Sequence, residues 1–434
     1  GCKGKDMTLS WFSIVRLGLI QMCLGAIVVL MTSTLNRLMV VELSLPALIP
    51  GFLVALHYGV QLSRPNWGYL SDVGGKRSFW VNSGMALLVT GAVLASFAIG
   101  IFPASYVFGM VLSVIAYILI GFGVGAAGTS VLALLGSFTA PHRRAAAATI
   151  TWLMMIFGIA ATAGIVGSLI DPYSHSKLMI IVACLGGIVM VVVLAAVWGL
   201  EEGLTPQRAP ETSAGIIAGV KEVWSEAPAR NFTIFVFLSM TAYFMQELIL
   251  EPYSGLVFEY TPGQSTSLSG LQNGGVFVGM LSVGILATGL RWGALRSWVV
   301  LGCLGSAVSL GLIVACAFVP AMISLNVAVV TLGFFNGVFA VSAIGSMMAL
   351  ADQGQRDRVG TRMGLWGAAQ AIAAAVGGLS GAIFVDILRA TGVDVSHAFG
   401  IVFLFEASLF VYAAWMARAC VKQPAIQAAL VAGE

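Results

Sequence analysis

Twelve apolar stretches, each long enough to cross a bilayer as a helix, follow one another along this 434-residue chain, and almost all of its charge lies between them. About 20 residues span the hydrocarbon core as a helix. Lipid offers backbone N–H and C=O groups no partners, so a spanning segment must satisfy them internally. The stretches fall at 14–35, 47–70, 79–101, 106–137, 146–170, 177–200, 231–258, 268–290, 297–318, 321–351, 361–388 and 397–418. A soluble domain needs about 25% charged residues to cover its surface, whereas 9% of this chain is charged and 59% hydrophobic. The expected fold class is an all-α polytopic membrane protein whose surroundings are membrane lipid, with no nucleic-acid partner. The six cysteines lack metal-ligand spacing and read as small apolar residues.

Lys and Arg give the orientation. Of 21, only Arg37, Lys177 and Arg389 fall in odd-numbered connections, and the other 18 lie in even-numbered connections, near them, or at the termini. Cytoplasmic segments carry the excess of Lys and Arg, so both termini are expected in the cytoplasm.

The longest polar segment, Glu201 to Asn231, divides the spans six and six. The expected organisation is an N-terminal six-helix half over 1–200, a cytoplasmic linker over 201–230 and a C-terminal half over 231–434. The run from Ser213 ("SAGIIAGVKEVWSE") has helical apolar spacing and is read as an amphipathic linker, the alternative being a surface-lying helix. A shift of 214 residues sets Arg144 on Arg358, Trp152 on Trp366, Gly164 on Gly378 and Gly167 on Gly381. The fourth span carries Gly121 and Gly125 at its end, and the tenth carries Gly333 and Gly337 at its end. Such a parallel repeat of two six-helix halves is the layout of the major facilitator superfamily.

The loop after the second span, "GYLSDVGGKRS", resembles the signature loop of that superfamily, Gly-x-x-x-Asp-x-x-Gly-x-Arg/Lys-Arg/Lys. Gly68, Asp72, Gly75, Lys76 and Arg77 match it as they stand. Gly68 permits close helix approach, Asp72 suits a helix N-terminus, and Lys76 and Arg77 suit an anionic leaflet. The resemblance implies a conformational latch; the plainer alternative is a tight turn with topogenic charges. In the second half, "ATGLRWGALRSW" keeps Gly293, Arg296 and Ser297 but has Arg291 in the acidic position.

Intramembrane polar groups are costly and usually functional, and this chain has few. His57 lies mid-span in "VALHYGVQLSRP" and Glu406 mid-span in "FLFEASLF", while Asn336 and Gln370 sit within the tenth and eleventh spans. Gln246, Glu247 and Glu251 lie towards the outer end of the seventh. An imidazole can ligate a metal held in a tetrapyrrole, so His57 is a candidate ligand; the alternative is a histidine bonded inside the bundle. Glu406 could ligate, relay a proton, or pack as a neutral acid. Asn36, Arg37 and Glu42 place a polar turn at the outer end of the first span, with Arg37 and Glu42 able to pair.

The run "RLGLIQMCLGAIVVLMTSTLNRLMVVELSLPALIPGFLVAL", Arg16 to Leu56, resembles the first two helices of the PucC family. Thr34-Leu35-Asn36-Arg37 and Val41-Glu42-Leu43 carry most of the likeness. The resemblance implies a bacteriochlorophyll-delivery member of the major facilitator superfamily, and the short loop "SDVGGKRS" points to the branch encoded among bacteriochlorophyll-synthesis genes. It also implies a bacterial inner, intracytoplasmic photosynthetic membrane and bacteriochlorophyll as cargo. The implied partners are light-harvesting or reaction-centre polypeptides, with bacteriochlorophyll synthase a further candidate. On this reading His57, Glu406, Asn336 and Gln370 are the pigment-binding candidates, with His57 as the ligand to magnesium. No nucleotide loop, nucleophile–base pair or Asp-rich diphosphate run is apparent, so the chain is expected not to be an enzyme. The alternatives are a proton-coupled transporter of a small amphiphile using Glu406 or Glu247, and a non-catalytic scaffold for bacteriochlorophyll synthase.

The orientation is testable with fusions. A fluorescent protein at the C-terminus should fold and fluoresce, and alkaline phosphatase should be active inserted beside Thr391 and inactive at the C-terminus. The opposite pattern would invert the topology.

Overall fold

The computed structural model describes residues 8–64, 76–204, 221, 224–352 and 359–421, and these form helices in the order the apolar pattern requires. They are α1 (Trp11–Glu42), α2 (Leu48–Ser63), α3 (Arg77–Ile101), α4 (Tyr106–Phe138), α5 (Arg144–Leu169) and α6 (His175–Val197), then α7 (Ala227–Val257), α8 (Pro262–Val283), α9 (Leu295–Phe318), α10 (Leu325–Asp352), α11 (Val359–Ala390) and α12 (Val395–Cys420). Among the described residues, eleven are long and apolar enough to cross a membrane, and α2 is a shorter apolar helix ending at Ser63. The second span is expected to reach residue 70; residues 65–70 lie outside the described residues, as does most of the 201–230 linker. The chain is therefore a multi-pass membrane protein.

Starts and ends follow local chemistry. Ser10, Ser105 and Ser174 cap α1, α4 and α6, each side chain accepting from the backbone N–H three residues on. At the ends of α6 and α12, arginines serve the last carbonyls. Arg16 donates to Ala196 and Trp198 O at the end of α6, and Arg296 donates to Val421 O after α12 at 2.5 Å. Cations at helix C-termini suit the macrodipole and occupy orphan carbonyls. The topogenic charges thus also fasten helix to helix.

The described chain forms two compact units. Unit 1 comprises Gly1–Ser44, Leu56–Glu211 and Thr261–Ser267; unit 2 comprises Leu45–Ala55, Thr212–Tyr260 and Leu268–Glu434. In unit 1, α3 packs on α4 and α6, and α1 on α5 and α6. In unit 2, α9 packs on α10 and α12, and α7 on α11 and α12. Adding six to each helix of the first scheme yields the second, so the repeat in sequence is a repeat in packing. Each unit also takes the first turns of one helix from the other sequence half: α8 lends its start to unit 1, and α2 its start to unit 2.

Without a hydrophobic drive between helices in lipid, close packing must come from small residues. A Cβ on Gly121 of α4 would lie 2.8 Å from the His57 carbonyl of α2, and one on Gly333 of α10 would overlap the Gln272 carbonyl of α8. These contacts are backbone, so neither can yield cheaply. Gly333→Ala should therefore lower thermal stability in detergent by about 1–3 kcal/mol. Gly187→Ala, where nothing lies within 4 Å of the new Cβ, should be neutral or mildly stabilising, because alanine is the better helix former.

Candidate functional site

Each unit carries a helix, α1 in one and α7 in the other, that stops being regular inside its apolar length. In unit 1 this is α1, which is α-helical over Trp11–Val29 and then π-helical over Leu30–Leu35 and Leu38–Glu42. A π turn holds one residue more than the α-helix allows and is common at functional sites. The sequence supplies competitors for the regular ladder here. Thr32 bonds back to the Val28 carbonyl, and Ser33, Thr34 and Asn36 are buried beside it. Arg37 is only 3% exposed and its Nη1 pairs with Glu42 Oε1, while the Glu42 side chain is 40% exposed. Asn36, Arg37 and Glu42 thus sit on the last helical turns of α1. The chain then turns at Ser44 (φ 54°) ahead of Pro46. Glu42 also reaches towards Tyr173 after α5; burial, and then this carboxylate, push the Tyr173 phenol above its usual range.

In unit 2, α7 is interrupted, and α8 runs on as a π-helix over Gly284–Gly289. Ala227–Met245 and Leu250–Val257 are α-helical, and between them Glu247 N bonds to Phe244 O, and Ile249 N to Gln246 O, in tighter turns. Pro252 explains where the break falls. Proline removes one ladder bond and collides with the carbonyl four residues back, here that of Leu248. Gln246, Glu251 and, on α12, Glu406 are all buried around this break, Glu406 being 0% exposed. Among the described residues, Gln246 Oε1 and both Glu406 carboxylate oxygens make no hydrogen bond. A shift of 214 residues sets Thr32 on Gln246 and Arg37 on Glu251. Interrupted segments at corresponding positions of two halves are the best pointer to a binding region in repeat-built transporters.

The remaining candidates have separate surroundings. His57 is 1% exposed in unit 1, and its Nε2 lies 2.9 Å from Gln61 Nε2. An amide nitrogen can only donate, so this imidazole nitrogen accepts. Gln61 Oε1 in turn accepts from Arg64 Nη2 at 2.9 Å, making a string of three side chains along the end of α2. In unit 2, Asn336 is buried and accepts from Ser306 Oγ at 2.8 Å, joining α10 to α9. Gln370 is half-buried, and its amide nitrogen is 3.8 Å from Met347 Sδ. Of the loop residues, Gly68, Asp72 and Gly75 lie outside the described residues. Lys76 is exposed. Arg77 begins α3, where the Arg77 and Ser78 backbone N–H groups donate to the Glu201 carboxylate, each at 3.0 Å. Among the described residues, no group of three or more His, Cys, Asp or Glu could hold a metal ion.

Sequence reasoning missed Gln61, Arg64, Glu201 and the α7 break. Gln61 and Arg64 had a signal, lying four and seven residues beyond His57 on one helical face. Pro252 had one too. Glu201 had none, because its partner is more than a hundred residues away.

Comparison with known proteins matches this geometry. The profile of the family described as PUCC protein matches residues 34–424. The chain is 59% identical over 415 residues to the bacteriochlorophyll synthase 44.5 kDa chain of Rhodobacter capsulatus, covering 96% of each. It is 27% identical over 398 residues to the protein PucC of Cereibacter sphaeroides, covering 87% of this chain and 84% of that one. Its fold is similar to the nucleoside transporter NupG, with a TM-score of 0.69 at 13% identity over 94% of this chain and 98% of that structure. The fold is thus that of major facilitator transporters.

The Arg37–Glu42 pair is open to a double-mutant cycle. With Arg37 buried and Glu42 partly solvated, Arg37→Gln, Glu42→Gln and the double variant should give a coupling of about 1 kcal/mol in detergent melts. A coupling near zero would mean that the two groups do not sense each other.

Proposed function

The chain belongs to the PUCC protein family, and on that premise we propose that it is a pigment carrier and assembly factor, not an enzyme. It takes newly made (bacterio)chlorophyll and passes it to light-harvesting or reaction-centre polypeptides in the bacterial inner, intracytoplasmic photosynthetic membrane, with both termini cytoplasmic. What carries the reading is the near full-length likeness to a chain named for bacteriochlorophyll synthase; on this reading that enzyme is a candidate partner, as donor of the pigment. The physical character agrees. Among the described residues most buried polar side chains are Ser and Thr, and His57 and Asn336 are engaged within their own units. The predominantly apolar composition of the chain, 59% hydrophobic, suits a tetrapyrrole with a long isoprenoid tail. The pigment is cargo, and the chain's part is to bind, shield and release it.

Within unit 2, Gln246, Glu406 and Gln370 are candidates for polar contacts to a pigment; His57, in unit 1, is a separate candidate. His57 can ligate magnesium only by freeing the Nε2 lone pair that Gln61 now occupies. That dependence gives a two-signed test. In protein purified from a pigment-making phototroph, bacteriochlorophyll should co-purify, His57→Ala should lower its yield several-fold, and Gln61→Leu should raise it. Protein free of both pigment and any pigment-synthesis enzyme would overturn the carrier reading. Equal pigment in wild type and His57→Ala would remove His57 as the ligand and leave the carrier reading standing.

The unbonded Glu406 carboxylate favours a second reading, proton-coupled transport of a small amphiphile through Glu406 or Glu247. In liposomes that reading requires substrate-driven proton movement, lost in Glu406→Gln.

A further inference from the structure

Glu406 of α12 is fully buried, and neither of its carboxylate oxygens has a hydrogen-bond partner among the described residues. Gln246, where α7 leaves its regular ladder, is 2% exposed, and its Oε1 is likewise without a donor. The two residues belong to one place. α7 packs on α12 within unit 2, and Gln246 is the residue whose backbone faces the Glu406 carboxylate. Three buried oxygen acceptors therefore stand at one contact between two helices, with no donor for any of them.

Aromatic rings enclose this contact from two sides. On one, Tyr253 of α7 meets Phe403 of α12 with ring centroids 5.0 Å apart. On the other, Phe339 of α10 joins Tyr243 of α7 at 6.2 Å and Phe410 of α12 at 6.0 Å. Phe403 lies three residues before Glu406 and Phe410 four after it, so all three share one face of α12 in successive turns. Tyr253, Phe339, Phe403 and Phe410 are fully buried. The Tyr253 hydroxyl does not serve the acid, because it donates to the Ile313 carbonyl at 2.9 Å. No Lys or Arg of either helix stands near. Arg418 is twelve residues from Glu406, and Arg230 is sixteen from Gln246.

A buried carboxylate without a partner is among the costliest groups a folded chain can hold. A proton relieves it only in part. Protonated Glu406 can donate once, to Gln246 Oε1, and its own carbonyl oxygen stays unpaired. A metal cation satisfies all three oxygens together. The donor set also selects the ion. Oxygen ligands disfavour ions that prefer sulfur or imidazole, and a single carboxylate balances a single positive charge. Buried rings on two sides shield the ion and its carboxylate from water, which strengthens their attraction.

We propose that Glu406 and Gln246 form a buried site for a monovalent alkali-metal cation, held by the Glu406 carboxylate and the Gln246 amide oxygen. The ion ties α12 to the stretch of α7 that lacks a regular ladder, and so fixes the interrupted turn. The inference does not rest on the cargo, and its test uses no pigment. It gives Glu406 a metal ion where the transport reading gives it a proton, and the two lead to different results.

The test is thermal melting of the full-length chain in detergent, in NaCl, KCl or choline chloride at equal ionic strength. Sodium or potassium should raise the melting temperature saturably over choline, because an ion that binds only the folded chain stabilises it. Gln246→Leu should weaken the apparent affinity about tenfold, through loss of one ligand oxygen. Glu406→Gln should abolish the salt effect. It should melt no lower than the parent in choline, having no charge to bury, and well below it in the preferred salt. If Glu406 is held as a protonated acid, the parent melts alike in all three salts, and the proposal fails. A salt effect that survives Glu406→Gln overturns it as well. Ion binding to the parent guards against a variant that does not fold. Radioactive sodium, or rubidium standing for potassium, should bind saturably at one ion per chain and be displaced by the unlabelled ion. Absence of saturable binding of both ions would also overturn the proposal.

Discussion

Lipid leaves no polar group a partner outside the protein, and the structure is organised around that constraint. Every interruption of a spanning helix must be closed by the chain itself. The α3 start is closed by Glu201, the α2 start by Asp386, and the α8 start by Asp171 together with its own capping box. The last carbonyls of α6 and α12 are closed by Arg16 and Arg296. Arg16, Asp171, Glu201, Arg296 and Asp386 are therefore fasteners, each tying one helix end to a segment distant in sequence. This economy explains why 9% charge suffices.

The same constraint shapes the irregular helices. The π turns of α1 and the break in α7 expose backbone and polar side chains at depths where these are expensive, and the two lie at equivalent positions of the repeat. One carries Arg37 and the other Glu251 at matched places. A fold that keeps such features twice keeps them for use.

Much of this was legible in the sequence, for identifiable reasons. Span number and the six-plus-six repeat follow from the length and order of apolar runs, which lipid forces to be helical. The helix packing that makes the repeat visible rests on glycines such as Gly121 in the fourth span and Gly333 in the tenth. Boundaries were less legible. The first span runs to Glu42 because π-helical turns accommodate Asn36 and Arg37, where a polar run at a span end reads as a turn. The aspartate contacts at the starts of α2 and α8 were hidden in another way: an aspartate at a helix end looks topogenic until its partner, 92 or 338 residues away, is known. The 214-residue match stopped at Gly381, and only one residue of drift separated it from the shift that carries Asp171 onto Asp386. His57 shows the limit of reading type and depth, since neither reveals that Gln61 occupies its Nε2.

Carriage of pigment is the claim on which the functional account rests, and direct binding tests it. Purified protein in lipid nanodiscs would be titrated with bacteriochlorophyll while visible circular dichroism is followed in the pigment's absorption bands. A chiral, single-geometry site predicts an induced signal that saturates at a fixed pigment-to-protein ratio and is absent from empty nanodiscs. Pigment that partitions without limit and gives no induced signal beyond that of lipid alone would contradict the account.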